Sequence, residues 1–325
     1  MGISRRQFMA TAASAAAAPA VLNASHTAHA AAPMVGKQVP AFYRFKVGDF
    51  EVTTLHDGIL KVANPNTMIT NKSPDEIAAA LDSAGVPRDN VQNPFVPTIV
   101  NTGKNLVLID TGFGDNGPPG VGLMTANMIA AGIDPKTIDT VLITHFHPDH
   151  ISGLRNKAGE AVYPNAEIIV ASQEIKYWTD ESELGKVTDA FKPSFAATKR
   201  VFAPMAKDIK QGEYGKEVVP GITMIDSRGH SLGHASYMVS SGKDNLLVLG
   251  DVTNNPYLFL RNPDWQGTFD VDGPLAVTTR RKVFDRASAD RTLLQGYHFP
   301  FPAVGFVNKT AGGYDLVPAM WQPEL

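Results

Sequence analysis

The segment Thr144-His145-Phe146-His147-Pro148-Asp149-His150 packs three imidazoles and a carboxylate into six positions, directly after the apolar run Val141-Leu142-Ile143. Four such side chains on one loop are costly to bury without partners, and together they are the donors that zinc and its first-row neighbours take. A buried strand that ends in this run points to a metal cage at the strand's carboxyl end. The 325 residues include no cysteine. That excludes disulfides, thiolate ligands and a cysteine nucleophile, so a metal site here must be built from His and carboxylate.

Residues 1–30 read as an address rather than as part of the fold. Ser4-Arg5-Arg6-Gln7-Phe8-Met9 precedes an Ala-rich run to Leu22, and Ala28-His29-Ala30 offers a small-residue cleavage site. This is the pattern of a twin-arginine signal peptide, which predicts a periplasmic or secreted protein. An alanine-dominated stretch of about 15 residues is too short and too weakly apolar to span a bilayer, so no membrane partner is expected. Removing Arg5 and Arg6 leaves 27 basic against 32 acidic residues, a net charge of −5. Nucleic acid is therefore not an expected partner.

Residues 31–44 have no clear period and read as an extended N-terminal arm, with 45–325 as one domain. Strands are predicted at Phe50–Leu55, in a hairpin of Val96–Asn101 with Leu106–Ile109, and at 138–143, 166–171, 222–225, 236–240, 246–249 and 292–295. Asp57-Gly58 reads as a turn and the Gly/Pro-rich loop at 113–122 as a flexible border. Helices are expected at 123–131, 172–178, 184–207 and 275–289. In the last, Arg280, Arg281, Lys282 and Arg286 alternate with Asp285 and Asp290, the pattern of a solvated face. Strands alternating with helices, with reactive residues at strand ends, predict a layered α/β sandwich of two similar halves.

Of nine histidines, His26 and His29 lie in the leader. Five of the other seven, His145, His147, His150, His230 and His298, fall at predicted strand ends or just beyond, and Asp149 and Asp251 add carboxylates. One reading places a first divalent cation on His145, His147 and His230 and a second on Asp149, His150 and His298, with Asp251 bridging. Cations that share a carboxylate can share a water, whose pKa then falls toward neutrality and supplies hydroxide. Zn2+ suits this donor set first, and Mn, Co and Fe fit it nearly as well. In Gly229-His230-Ser231-Leu232-Gly233-His234, chemistry alone admits either histidine as the ligand.

Taken in order, THFHPDH, GHSLGH, Leu249-Gly250-Asp251 and His298 resemble the motifs of the metallo-β-lactamase superfamily. The resemblance implies a four-layer αββα sandwich. It places the ligand at His230, gives His234 a supporting place behind the ligands, and makes Asp110 a group that orients a ligand imidazole. Asp251 and the lack of cysteine set the chain apart from the antibiotic-hydrolysing branch, and His147 sets it apart from the oxygen-reducing di-iron branch, which has Glu there. Gly48-Asp49-Phe50-Glu51, Leu106–Gly112, Tyr163–Ala166, Trp178 and His298–Pro302 are similar to the methyl parathion hydrolase group and related lactonases.

That similarity implies a homodimer acting on a small neutral ester-like substrate, a lactone or carboxylic ester or an organophosphate triester, attacked by a hydroxide bridging the two ions. Asp149 and Asp251 are the expected catalytic carboxylates, and the arm at 31–44 is the expected contact with a neighbour. Trp178, Tyr257, Phe259 and Phe299 are expected to wall the substrate pocket. Two departures stand out. The loop 113–122 lacks an aromatic residue that the phosphotriesterases carry, and Asn254 stands where the lactonases place a tyrosine. The rival readings are an iron-dependent persulfide dioxygenase of the same fold and a non-catalytic metal-binding protein.

Overall fold

Alternating and continuous apolar runs in the chain resolve into two large sheets in the computed structural model, which describes residues 34–205 and 208–325. The expected leader, residues 1–30, lies outside the described residues. The chain divides into units Met1–Val39 and Pro40–Leu325, and every strand and helix below belongs to the second. Its strands are Phe42–Val47 (β1), Phe50–Leu55 (β2), Gly58–Val62 (β3), Val91–Phe95 (β4), Thr98–Asn101 (β5), Leu106–Ile109 (β6), Thr140–Ile143 (β7), Glu167–Ala171 (β8), Ile209–Gly212 (β9), Glu217–Val219 (β10), Ile222–Asp226 (β11), Ala235–Ser241 (β12), Asp244–Val248 (β13), Leu293–Gln295 (β14), Val304–Lys309 (β15) and Tyr314–Pro318 (β16). Its helices are Pro74–Ser83 (α1), Met124–Ala130 (α2), Pro148–Ile151 (α3), Ser172–Trp178 (α4), Glu181–Leu184 (α5), Lys192–Phe202 (α6) and Gly273–Asp290 (α7).

The first sheet runs β1-β2-β5-β6-β7-β8-β9, and the second runs β10 through β16 in chain order. In the first, pairs from β6 to β9 are parallel. All four residues of β7 are buried, as expected of a central parallel strand covered on both faces. The arm expected at 31–44 ends earlier than its pattern suggested. Residues 42–44 already pair with β2, in the register Phe42↔Leu55 to Val47↔Phe50, because Phe45 and Val47 have a sheet face to fill.

Between the sheets, Val52, Val100, Val107, Leu142 and Ile169 meet Met224, Tyr237, Val239, Leu246 and Val248. Outside the first sheet, Met128 of α2 and Phe195 and Phe202 of α6 cover Leu108, Val141 and Val170. Outside the second, Phe284 and Ala287 of α7 cover Leu247 and Leu294. Helix, sheet, sheet, helix is the four-layer αββα order. A satellite cluster joins Ile77 and Leu81 of α1 to Val91, Leu258, Phe259 and Trp265. Helix α1 starts on a capping box between Ser73 and Glu76 with Pro74 in the first turn, a start signal written in the sequence.

Two local expectations change. Ala276, Arg280, Phe284 and Ala287 are buried, a stripe at helical spacing, so Arg280 faces inward while Lys282 and Arg286 stay exposed. Its guanidinium donates to the carbonyls of Val252, Pro263 and Trp265. The loop 113–122, expected as a flexible border, is tied at both ends. Asp57, expected in a turn, is buried and accepts from the N–H groups of Phe113 and Met124. Asn116 donates to the carbonyls of Ser152 and Arg155.

Candidate metal centre

The carboxyl ends of β6, β7, β13 and β14 and the loop after β11 converge at one edge of the sandwich and bring together all seven residues expected as ligands. Donor atoms of His145, His147 and His230 lie within 4.8 Å of one another, as do those of Asp149, His150 and His298, and those of His145, His150 and Asp251. Asp251 stands between the two triads. Its Oδ2 is 3.0 Å from His298 Nε2 and 3.3 Å from His230 Nε2, and its Oδ1 is 3.4 Å from His150 Nε2.

The hydrogen bonds around the rings decide which nitrogens face this space. Asp110 accepts from Thr144 N–H and Thr144 Oγ1 at 2.8 Å each. Its Oδ2 is also 2.8 Å from His150 Nδ1. Thr144 Oγ1, having donated to Asp110, accepts from His145 Nδ1 at 3.0 Å. His230 Nδ1 lies 2.9 Å from Asp270 Oδ1, and His298 Nδ1 lies 2.9 Å from the Pro94 carbonyl. In four rings Nδ1 is thus occupied by a partner and Nε2 is turned inward, the nitrogen left to face a metal. His147 presents the other nitrogen, its Nδ1 lying 2.9 Å from His230 Nε2.

Nε2 of His145 and His150 and Oδ1 of Asp251 are buried with no hydrogen-bond partner. Unpaired buried lone pairs of this kind are costly, and a cation is the partner that would satisfy them together. Burial, with the neighbouring imidazoles, holds His145 well below the usual imidazole range, and it lowers His147 to about 3. Neutral rings are the ligand form. Burial also opposes protonation of His150 and His298, yet the carboxylates of Asp149, Asp110 and Asp251 raise the first and those of Asp251 and Asp149 raise the second. A cation would feel the same pull. The residues present are suited to holding metal ions.

His234 stands apart from this set. Its Nδ1 bonds Ser227 Oγ at 2.8 Å and its Nε2 accepts from the N–H of Asp251 at 2.9 Å. Both nitrogens are used, so His230 is the histidine of that loop with a free donor. His234 instead fixes the backbone that carries Asp251, and Gly250, at φ +57, leaves no room for a Cβ beside its ring. Asp110 also takes a left-handed φ of 61, backbone strain that its three hydrogen bonds hold in place.

The expected pocket walls divide. Trp178 is buried with its ring edge-on to His147 at 5.6 Å, so it backs a ligand rather than lining open space. Phe299 is a correction. It is wholly buried among Phe284, Leu294 and Ala303 outside the second sheet, because its neighbour His298 takes the site-facing position. Phe259 borders a cavity of about 20 Å³ beside His230, with Met68, Asn254 and Phe269. Tyr257 borders a cavity of about 460 Å³ that also touches His298, His56 and Phe301. A groove of about 1250 Å³ against α7, lined by Arg228, Lys282 and Arg286, holds none of the seven residues. Sequence reasoning missed Asp270 and Glu174. Each is a lone acid with no spacing to mark it, and only the fold brings it to the ligand loops.

A sequence profile of the metallo-β-lactamase superfamily matches residues 97–295. The chain belongs to this superfamily. An N-acyl homoserine lactonase from Bacillus sp is 20% identical over 190 residues, 53% of this chain and 68% of that protein. The crystal structure of hydrolase AbOPH, in the beta lactamase superfamily, superposes with a TM-score of 0.82 at 28% identity, covering 88% of this chain and all of that one. The dizinc quorum-quenching lactonase AidC, in complex with a product, has the same TM-score of 0.82 at 23% identity over 87% and 98% of the two chains. This chain is a metallo-β-lactamase-fold hydrolase with a His-rich candidate metal site. No helix among the described residues is long and apolar enough to cross a membrane.

Proposed function

We propose that this chain is a dinuclear hydrolase of neutral ester-like bonds, with lactones or carboxylic esters as its first substrate class and phosphotriesters as its second. The observation that carries the reading is the pair of triads joined by Asp251, with unpartnered Nε2 and Oδ1 atoms turned into one space. Two divalent ions held there, Zn2+ first among them, would polarise the ester oxygen and lower the pKa of a shared water. The lactonase relatives support the lactone class. The sequence resemblance to the methyl parathion hydrolase group supports the phosphotriester class.

Neutral charge in the substrate follows from what surrounds the site. Arg280 is the one Arg or Lys among the described residues bordering the two cavities that touch His230 and His298. Its guanidinium is spent on three carbonyls and on Asp270, 3.5 Å away. Apart from the ions themselves, no basic side chain is left there to anchor a charged group of the substrate.

The two carboxylates take different parts. Asp251 is deep, its side chain 3% exposed, and keeps its place between the triads, whereas Asp149 is 16% exposed. Burial would raise the Asp149 carboxyl, but His150 and His298 outweigh it and hold it below its ordinary value. Of the two, Asp149 is the carboxylate with access to solvent, and so the one placed to relay a proton from the attacking water to the leaving oxygen. Tyr297 steadies it by donating to the Asp149 carbonyl at 2.6 Å.

Steady-state hydrolysis of an aliphatic lactone and of methyl paraoxon by zinc-reconstituted protein tests the reading, with His147→Ala as the blank. Lactone turnover alone assigns the first class, and phosphotriester turnover of equal efficiency assigns the second. Protein holding two ions per chain that turns over neither loses both substrate classes. One iron per chain with oxygen consumption would favour the dioxygenase rival. We further propose export through residues 1–30, to be checked by fractionating cells that express the Arg5→Lys, Arg6→Lys pair, and a homodimer, to be checked by sedimentation.

A further inference from the structure

Glu174 lies in α4, outside every motif above, and is wholly buried. Its Oε1 accepts from the N–H of Phe146 at 2.7 Å and from Trp178 Nε1 at 2.6 Å. Its Oε2 accepts from Ser231 Oγ at 2.5 Å and from the N–H of Gly233 at 2.9 Å. No Lys or Arg among the described residues pairs with it. A carboxylate buried without a cation needs every lone pair used, and these four donors use them.

The donors come from three places that matter to one triad. Phe146 sits between His145 and His147. Ser231 and Gly233 follow His230. Trp178 lays its ring against His147 and also reaches Ser231 Oγ at 3.0 Å. Gly233 packs so closely on this helix that a Cβ there would lie 2.0 Å from Glu174 N. Glu174 is thus the shared point of two loops from opposite halves of the molecule.

We infer that Glu174 is a positioning residue that holds the His145–His147 loop and the His230 loop in register, and so sets the geometry of the first ion's three imidazoles. The inference rests on the reading of that triad as one ion's ligands. A neutral amide cannot replace the carboxylate. In Glu174→Gln one oxygen still serves Phe146 and Trp178, while the amide nitrogen opposes the N–H of Gly233 and frees the His230 side.

Two measurements on the full chain test this. The first is chelator competition for Zn2+, with the visible spectrum after Co2+ substitution. Glu174→Gln and the milder Ser231→Ala are expected to weaken one of two ions by about 10- to 100-fold, the scale of lost outer contacts to a ligand, and to shift the Co2+ bands while the other ion is kept. The second is amide hydrogen exchange in metal-free protein, where Glu174→Gln is expected to speed exchange at Gly233 more than at Phe146. Wild-type affinity for both ions and an unchanged Co2+ spectrum in both variants would overturn the inference. Wild-type protein that binds fewer than two ions sinks the dinuclear reading instead. The exchange data then decide alone, and unchanged protection at Gly233 and Phe146 in Glu174→Gln overturns the positioning role.

Discussion

The two halves of the sandwich supply the candidate metal centre in different ways. The first half gives His145, His147, Asp149 and His150 from one loop after β7. The second gives His230, Asp251 and His298 from three separate loops. In the first half the support comes from the neighbouring strand of the same sheet. Asp110 and Thr144, at the ends of adjacent parallel strands, fix the His145 and His150 rings. In the second half it comes from loops, since Asp270 in the loop before α7 fixes His230 and His234 in the loop after β11 holds the Asp251 backbone. A compact motif can rest on its own sheet, whereas dispersed ligands need buried polar groups recruited for each.

The largest test of that contrast removes the residue joining the halves. Asp251→Ala is expected to cut turnover by about two to three orders of magnitude, the scale of losing one electrostatic element of a hydrolytic centre, and to lower metal content from two ions toward one. Full activity with two ions retained would show that the halves act independently.

The next test concerns the first half's scaffold. Burial raises the Asp57 carboxyl to about 6, against hydrogen bonds from Phe113 and Met124 that pull it down. Its folded pKa is therefore above the unfolded value, and the folded state binds the proton more tightly. Below about pH 4 both states are protonated and there is no penalty. As pH rises from about 4 to 6 the unfolded chain ionises first, and stability falls by up to about 3 kcal/mol. Urea unfolding of metal-free wild-type and Asp57→Asn proteins at pH 4 and pH 7 reads this term as the change in their difference. A pH-independent difference would refute it.

Asp110→Asn and Asp270→Asn compare the halves directly. Asp270→Asn is expected to weaken the ion of the His230 triad by about 10- to 100-fold, and Asp110→Asn to weaken most the ion of the His150 triad, which it touches directly, and less the other, which it reaches through Thr144 and His145. Chelator titration of the single and double variants separates them. Largest losses that fall on the same ion would break the assignment of one triad to each.

What the sequence made legible follows the same division. THFHPDH declared itself because its donors are contiguous and a buried strand precedes them, and the αββα order was implied by the family resemblance that the motifs carry. Strands β1, β9, β10, β15 and β16 and the antiparallel pair of β3 with β4 were not anticipated, because they are short or mixed in polarity, with no sustained period. Arg280 was misplaced by reading its charge before its position on the 276–280–284 stripe. Glu174, Asp270 and Asp57 were missed as supports because a buried acid looks like any surface acid until its donors arrive from distant loops.

The smallest expected effect separates packing from substrate contact in the second half, where two aromatics had been given the same part. Phe299 lies in the same buried cluster as Phe284, Leu294 and Ala303 and has no exposed surface. Tyr257 is half-buried and faces the cavity beside His298. Phe299→Leu is expected to cost about 1 kcal/mol of stability through lost packing and to leave KM unchanged. Tyr257→Leu is expected to stay within about 0.5 kcal/mol, as partly exposed positions do, and to change KM on whichever ester proves to be the substrate. Unfolding curves and kinetics on the two variants give four numbers. A KM change in Phe299→Leu at unchanged stability would return that ring to the pocket wall. A flat KM in Tyr257→Leu would remove the cavity beside His298 from the substrate's path.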